Sequence, residues 1–233
     1  MKIGIMQPYL FPYIGYFQLI KAVDIFVVHD DVQWIKGGWI NRNRILFDNQ
    51  VKTLTLAVKK RSNYDKINQF EVSEDHNNRN LYLNRIASAY AKAPFFKQVY
   101  PIIEGIILMR TCNLSDLIVY SLETVKRYLE IDTKIILSSD IEKNNSLCAQ
   151  ERVINICKSL NSATYTNPIG GMELYKKEDF AEHNLKLYFI KPDEIRYEQF
   201  GQGSIANLSI IDVLMFNNQQ TIRSMLNDYI LIE

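Results

Sequence analysis

Long apolar runs, paired cysteines, an excess of charge of either sign and the glycine-rich phosphate loops are all missing from this 233-residue chain. The greasiest stretch of its middle, "IIEGIILM" (residues 102–109), is short and carries Glu104, whereas a helix needs about 18 apolar residues to cross a bilayer. The opening "MKIGIMQP" has neither the long apolar region nor the small-residue cleavage site of a signal peptide. No membrane insertion and a cytoplasmic location are therefore expected. Cys112, Cys148 and Cys157 are odd in number and fit no CxxC spacing, which favours free thiols in a reducing compartment over a disulfide or a metal site. The balance of 27 basic against 26 acidic residues argues against broad, charge-driven binding to nucleic acid or an anionic membrane, while leaving room for a local basic pocket. GxxxxGK[ST], GxGxxG and GxSxG are absent, and no cysteine has a catalytic neighbourhood, so covalent catalysis has no candidate. A direct transfer fits better.

What is present is the composition of a globular protein, 47% hydrophobic and 23% charged. "KIGIM" reads as a buried strand, "YIGYFQLIKAV" as a helix and "DIFVVHDDV" as the start of a second strand. This is the pattern of a βαβ unit with a parallel sheet. "RILFDNQVKTLTLAV" reads as a hairpin turning at Asp48-Asn49. Three helices then follow between residues 76 and 130, the last with Leu114, Ile118, Leu122, Val125 and Leu129 at helical spacing and Asn113 or Ser115 as its cap. Strand and helix alternate again through "TKIILSSDI", "AQERVINICKSLN", "SATYTNP", "KEDFAEHN" and "LKLYFIKP", and the tail reads as one or two helices. The expected fold is α/β: a mostly parallel sheet of βαβ units in a single domain over residues 1–233, with a helical insertion at 76–130.

In open parallel sheets ligands bind beyond the carboxyl ends of the strands. Three such segments carry unusual residues. The first, Gln7-Pro8-Tyr9-Leu10-Phe11-Pro12-Tyr13-Ile14-Gly15-Tyr16, is too apolar for a solvated loop and too rich in proline for a helix interior. It is either one wall of a pocket or a seal between the insertion and the sheet. The second begins with His29-Asp30-Asp31, where an imidazole oriented by a carboxylate could act as a base, or the two acids could simply solvate a strand end. Only one further histidine, His76, lies within fifty residues, and no spacing matches a metal site. The segment continues through Gln33, Trp34, Lys36 and Trp39 to Asn41-Arg42-Asn43-Arg44. If extended, this run puts Arg42 and Arg44 on one face and the asparagines on the other. Arginines beside the only two tryptophans suit an anion together with a flat or sugar-like group, and a charged edge strand is the plain alternative. The third segment, Asn167-Pro168-Ile169-Gly170-Gly171, permits close backbone approach but is also an ordinary turn.

"MKIGIMQPYLFPYIGYFQLI" and "DDVQWIKGGWINRNRIL" resemble the WbqC-like proteins, as do "AYAKAPFF", "AQERVINICKSLNSATYTNPIGGMELY" and "LSIIDVLMFN". The similarity spans almost the whole chain. It implies a role beside the enzymes of bacterial surface-polysaccharide, O-antigen and lipopolysaccharide biosynthesis, where unusual amino sugars are made. Carried over, the motif would put Gln7, Pro8, Tyr9, Pro12, Tyr13, Gly15 and Tyr16 around a site. Asp30, Asp31, Gln33, Lys36, Trp39, Asn41, Arg42, Asn43 and Arg44 would line the same cleft, with Asn167, Gly170 and Gly171 opposite. His29 stands where the resemblance would put a tyrosine, Asn217-Asn218 where it would put a glycine, and Ala206 where it would put a proline. A fainter likeness to nucleotidylyltransferases lacks their histidines, since Tyr13-Ile14-Gly15-Tyr16 occupies that turn, and it supports a nucleotide-friendly fold rather than that reaction.

The expectation is thus a transferase that N-acylates, or adds an amino-acid-like group to, a nucleotide-linked amino sugar. His29, Asp30 and Asp31 would be catalytic. Lys36, Arg42 and Arg44 would hold phosphate, and Tyr9, Tyr13, Tyr16, Trp34 and Trp39 would cover the sugar or base. No tightly bound cofactor is expected. The donor would be an acyl-coenzyme A or acyl carrier thioester, which makes an acyl carrier protein a candidate partner. A non-catalytic nucleotide-sugar or glycan-binding protein and a glycosyltransferase are the alternatives.

Overall fold

The computed structural model describes residues 1–73, 75–201 and 203–233. Strand β1 (Lys2–Met6), helix α1 (Ile14–Ala22) and strand β2 (Ile25–Val28) form the βαβ unit read from the sequence, with β1 and β2 parallel in the register Met6 to Val28. Next comes the hairpin of β3 (Arg42–Phe47) and β4 (Gln50–Thr55). Its two turn residues, Asp48 and Asn49, both have left-handed φ, 49° and 57°, which matches the twist of antiparallel strands. Helices α2 (His76–Tyr90), α3 (Phe96–Ile107) and α4 (Leu114–Tyr128) follow. Pro101 sits in the second turn of α3, and the Asn113 side chain caps α4 by accepting from Ser115 and Asp116 N–H.

Strand β5 (Lys134–Leu137) is shorter than "TKIILSSDI" suggests. The Asp30 carboxylate accepts from the Ser139 N–H and hydroxyl, at 2.9 and 2.6 Å, and residues 138–140 wind into a single 3₁₀ turn instead. The chain continues through α5 (Ala149–Ser159), β6 (Thr164–Pro168), α6 (Lys177–Glu182), β7 (Lys186–Pro192), α7 (Ile210–Phe216), α8 (Gln219–Met225) and β8 (Tyr229–Ile232). The one or two helices read in "LSIIDVLMFNNQQTIRSML" are α7 and α8, and beyond them, where the sequence supports no reading, the chain returns as an antiparallel edge strand on β7. Four residues without clean polar alternation leave little strand signal.

The six strands lie in the order β5-β2-β1-β6-β7-β8, all parallel except β8. Alternate residues of each strand face opposite layers. Phe26 and Val28 pack with Phe17, Leu19 and Ile20 of α1 in a core that continues through the buried faces of α2, α3, α4 and α7. Ile3, Ile5 and Val27 face the other way, against Val153, Ile156 and Cys157 of α5 and Phe180 of α6. The strand order reverses between β1 and β6. Their connections leave toward opposite faces and open a crevice at the carboxyl edge.

Candidate functional site

A cleft of about 630 Å³ occupies that crevice, within the size range of small-molecule sites. One wall is the aromatic joint between β1 and α1, contributing Tyr9, Pro12, Tyr13 and Gly15. Ile169 after β6 and Lys191 to Ile195 at the end of β7 form another, and Trp39, Asn43 and Arg44 of the hairpin arm close a third. Tyr197, residues 206–208 and Val213 complete the lining.

The joint is held from both sides. Phe11 is fully buried with φ 46°, a conformation that costs a side-chain-bearing residue roughly 1–2 kcal/mol. Its carbonyl accepts from Asn43 Nδ2 at 2.6 Å and from the Ser209 hydroxyl at 2.7 Å. Leu10 N–H donates to the Ile40 carbonyl, and Ile210 N–H donates to that of Pro12. The joint therefore clamps the hairpin arm to the start of α7. Tyr16 is buried and its hydroxyl donates to the Gln7 carbonyl at 2.8 Å, while the Tyr9 ring lies 5.7 Å from it toward the cleft. Burial pushes the Tyr9 and Tyr13 hydroxyls above their ordinary pKa, so both stay protonated donors. Gly15 has a steric role: a Cβ there would stand 2.3 Å from the Tyr13 ring and 3.1 Å from Pro192.

On the hairpin arm, Arg42 and Arg44 share one face as expected, with their guanidinium carbons 5.2 and 5.5 Å from the Trp39 ring centre. Arg44 reaches the cleft and donates to the Asn207 carbonyl at 2.9 Å. Arg42 is turned away, donating to the carbonyls of Gly37 and Gly38, so it is not a cleft-lining cation. Lys191 is the second cation of the wall. Asn43 reaches the lining but spends its amide on Phe11, and Asn41 donates to the Leu56 carbonyl at 2.7 Å.

Several residues expected around one cleft lie elsewhere. Trp34 stacks on Phe70 at 4.2 Å, packed on the core. Gln33 donates to the Asn63 carbonyl, and Lys36 is exposed on the surface. Gln7 and Asn167 are strand-end residues outside the lining. Asn167 accepts from the Tyr165 hydroxyl at 3.0 Å, and it approaches Gly171 so closely that a Cβ there would lie 2.0 Å from its Nδ2. A Cβ at Gly170 would meet nothing within 4 Å.

His29, Asp30 and Asp31 also fall outside the cleft, in a buried knot at the ends of β2 and β5. Asp30 is occupied by Ser139 and by Asn68 Nδ2 at 3.1 Å. Asp31 Oδ2 meets Lys143 at 2.9 Å and Arg152 at 2.6 Å. Burial alone would raise the Asp31 pKa, but the Lys143 and Ser138 contacts and the Arg152 charge outweigh it and hold the carboxyl below its usual value. Burial lowers His29 to about 4, opposed by the charge of Asp31. At 3.9 Å from Asp31 the imidazole is therefore a neutral neighbour rather than an ion-pair partner near pH 7. A carboxylate bound to two cations is a poor base. Among the described residues no three His, Cys, Asp or Glu side chains group to hold a metal ion, and no helix is long and apolar enough to cross a membrane.

Sequence reasoning missed the cleft residues Lys191 and Tyr197, and Asp212 behind them. A lone acid inside the apolar run "LSIIDVLMF" is the signal that could have drawn attention to Asp212. In the comparisons, the model of the WbqC-like protein family matches residues 7–224. The "Uncharacterized protein Rv1507c" of Mycobacterium tuberculosis (strain ATCC 25618 / H37Rv) is 27% identical over 218 residues, covering 93% of each chain.

Proposed function

The chain belongs to the WbqC-like protein family, and from that premise we propose that it is a transferase of bacterial surface-polysaccharide biosynthesis acting on a nucleotide-linked amino sugar. One observation carries the reading. The switch-point cleft combines aromatic walls, Tyr9, Tyr13 and Trp39, with two cations, Arg44 and Lys191, and two carboxylates on the β7 side, Asp193 and Glu194. Aromatic faces suit a base or sugar ring, and a guanidinium beside an ammonium suits a diphosphate. The joint is already clamped by Asn43, Ser209 and Ile40, so little of the binding energy goes into ordering that wall. The reaction is transfer of an acyl group from a thioester, on coenzyme A or on an acyl carrier protein, to the amine of the sugar. The placement of His29, Asp30 and Asp31 in a separate knot favours a second reading, in which the protein binds such a nucleotide sugar without transforming it.

A thermal-shift screen against dTDP- and UDP-linked amino sugars, free nucleotides and acetyl-coenzyme A tests the proposal. A ligand at 100 times its Kd adds about 2.7 kcal/mol of stability. The transferase reading expects a raised Tm with a nucleotide-linked amino sugar, a further shift or an acylated product when the thioester is added, and loss of both in Arg44→Ala. A shift without any product supports the binding reading. No shift with any nucleotide contradicts both.

A further inference from the structure

Asp212 is fully buried in the first turn of α7, immediately before Val213 of the cleft lining. Its Oδ1 accepts from the Tyr197 hydroxyl at 2.7 Å and from Gln199 Nε2 at 2.5 Å, and its Oδ2 accepts from the Tyr90 hydroxyl at 2.8 Å. All three donors are neutral, and no cation forms an ion pair with it among the described residues. Asp31 by contrast has both Lys143 and Arg152, while Asp30, also buried, is met by neutral donors but lies in the knot away from the cleft. A buried carboxylate without a counter-charge is costly, and burial pushes the Asp212 pKa up against the three hydrogen bonds that favour its ionised form. The two cations of the cleft, Arg44 and Lys191, belong to the hairpin arm and the end of β7 rather than to the Asp212 network. Tyr197 both lines the cleft and touches this carboxylate. Its only hydroxyl proton is directed at Asp212, and its oxygen, beside the Gln199 amide, has a second lone pair with which to accept.

We infer that Tyr197 receives the amine of the ligand and that Asp212 behind it, a buried carboxylate apart from the exposed Asp193 and Glu194 of the lining, takes up the amine's proton. This assignment rests on the amino-sugar reading and replaces His29 and Asp31 as the source of the base. The ligand enters as an ammonium, with its phosphates toward Arg44 and Lys191. One N–H proton moves to the Tyr197 oxygen as the phenolic proton moves to Asp212 Oδ1, leaving a neutral amine beside a neutral carboxylic acid. The amine nitrogen then bonds the acyl carbon of the thioester and the C–S bond breaks. The sulfur leaves as thiolate and takes the second N–H proton to become the thiol. Asp212 returns its proton to solvent through Tyr197 as the amide product departs. Tyr197 is the catalytic residue in this scheme, and Asp212 acts through it.

The test is calorimetric titration at pH 7 of dTDP, a dTDP-linked amino sugar and the same sugar with hydroxyl in place of the amine, into wild type, Asp212→Asn and Tyr197→Phe. Circular dichroism checks each fold, and Tyr197→Phe, which loses only a hydroxyl, serves if Asp212→Asn does not fold. Wild type should prefer the amine by about tenfold or more, as a hydrogen bond to a charged group allows. Both variants should bring that ratio close to one while leaving dTDP affinity unchanged. A purely structural role for Asp212 would weaken all three ligands together and keep the ratio, which overturns the inference. An absent amine preference in wild type also overturns it and leaves the nucleotide cleft standing, whereas no binding of any nucleotide removes the cleft reading and the inference together.

Discussion

His29 enters the knot beside Asp31 as a neutral imidazole, with burial as the dominant influence on its pKa. Its folded pKa of about 4 lies below the ordinary 6.5, so the folded state resists protonation that the unfolded chain accepts. Its contribution to stability is therefore complete above pH 6.5 and is lost as the pH falls toward 4. A shift of this size corresponds to about 3 kcal/mol at most. Urea unfolding at pH 7.5 and pH 4.5 should show wild type losing stability on acidification, and His29→Gln losing less by an amount of that order. Equal losses would mean that water reaches the imidazole freely. The acids were legible as unusual in "VVHDD", but their partners were not. Arg152 lies 121 residues from Asp31, and nothing local to either residue indicates the pairing. Without it a buried ion cluster reads like a base.

The joint from Gln7 to Tyr16 is the element whose sequence was most informative. Prolines and aromatics without polar relief implied a buried, fixed connection, and the structure has that connection lining the cleft and clamping α7 to the hairpin arm. The left-handed turn at Asp48-Asn49 was equally readable, since those residue types tolerate positive φ. The opposite holds for β8, a four-residue edge with Ile230 and Leu231 exposed, where the partner strand rather than the local pattern decides the structure. Which of the arginines enters the cleft was not readable either. Arg42 and Arg44 share a face, but Arg42 is taken up by the carbonyls of its own Gly37-Gly38 loop. At this scale Gly15→Ala is the sharpest perturbation. The new methyl must displace the Tyr13 ring and press on Pro192. We expect a stability loss of about 1–2 kcal/mol by overpacking, together with a clear drop in nucleotide-sugar affinity in calorimetry. Unchanged affinity would show that the Tyr13 ring position does not matter to the ligand.

Across the whole molecule, the reversal of strand order between β1 and β6 puts the carboxyl ends of β1, β6 and β7 around one opening. The Asp30–Asp31 knot lies further along the same edge, at the ends of β2 and β5. The sequence indicated parallel βαβ units, but strand order emerges only from long-range pairing, and strand order decides which loops meet. That is why one edge, read as a single site, divides into a cleft and a knot. The two tryptophans report on this division, because Trp34 is stacked on Phe70 and Trp39 is part of the cleft wall. The most direct measurement is the fluorescence of Trp39 in a Trp34→Phe protein, titrated with a nucleotide-linked amino sugar. The account predicts a saturable change in Trp39 emission, competed by the free nucleoside diphosphate and absent in Arg44→Ala. Emission that stays flat while calorimetry records binding would place the ligand away from this cleft and contradict the account.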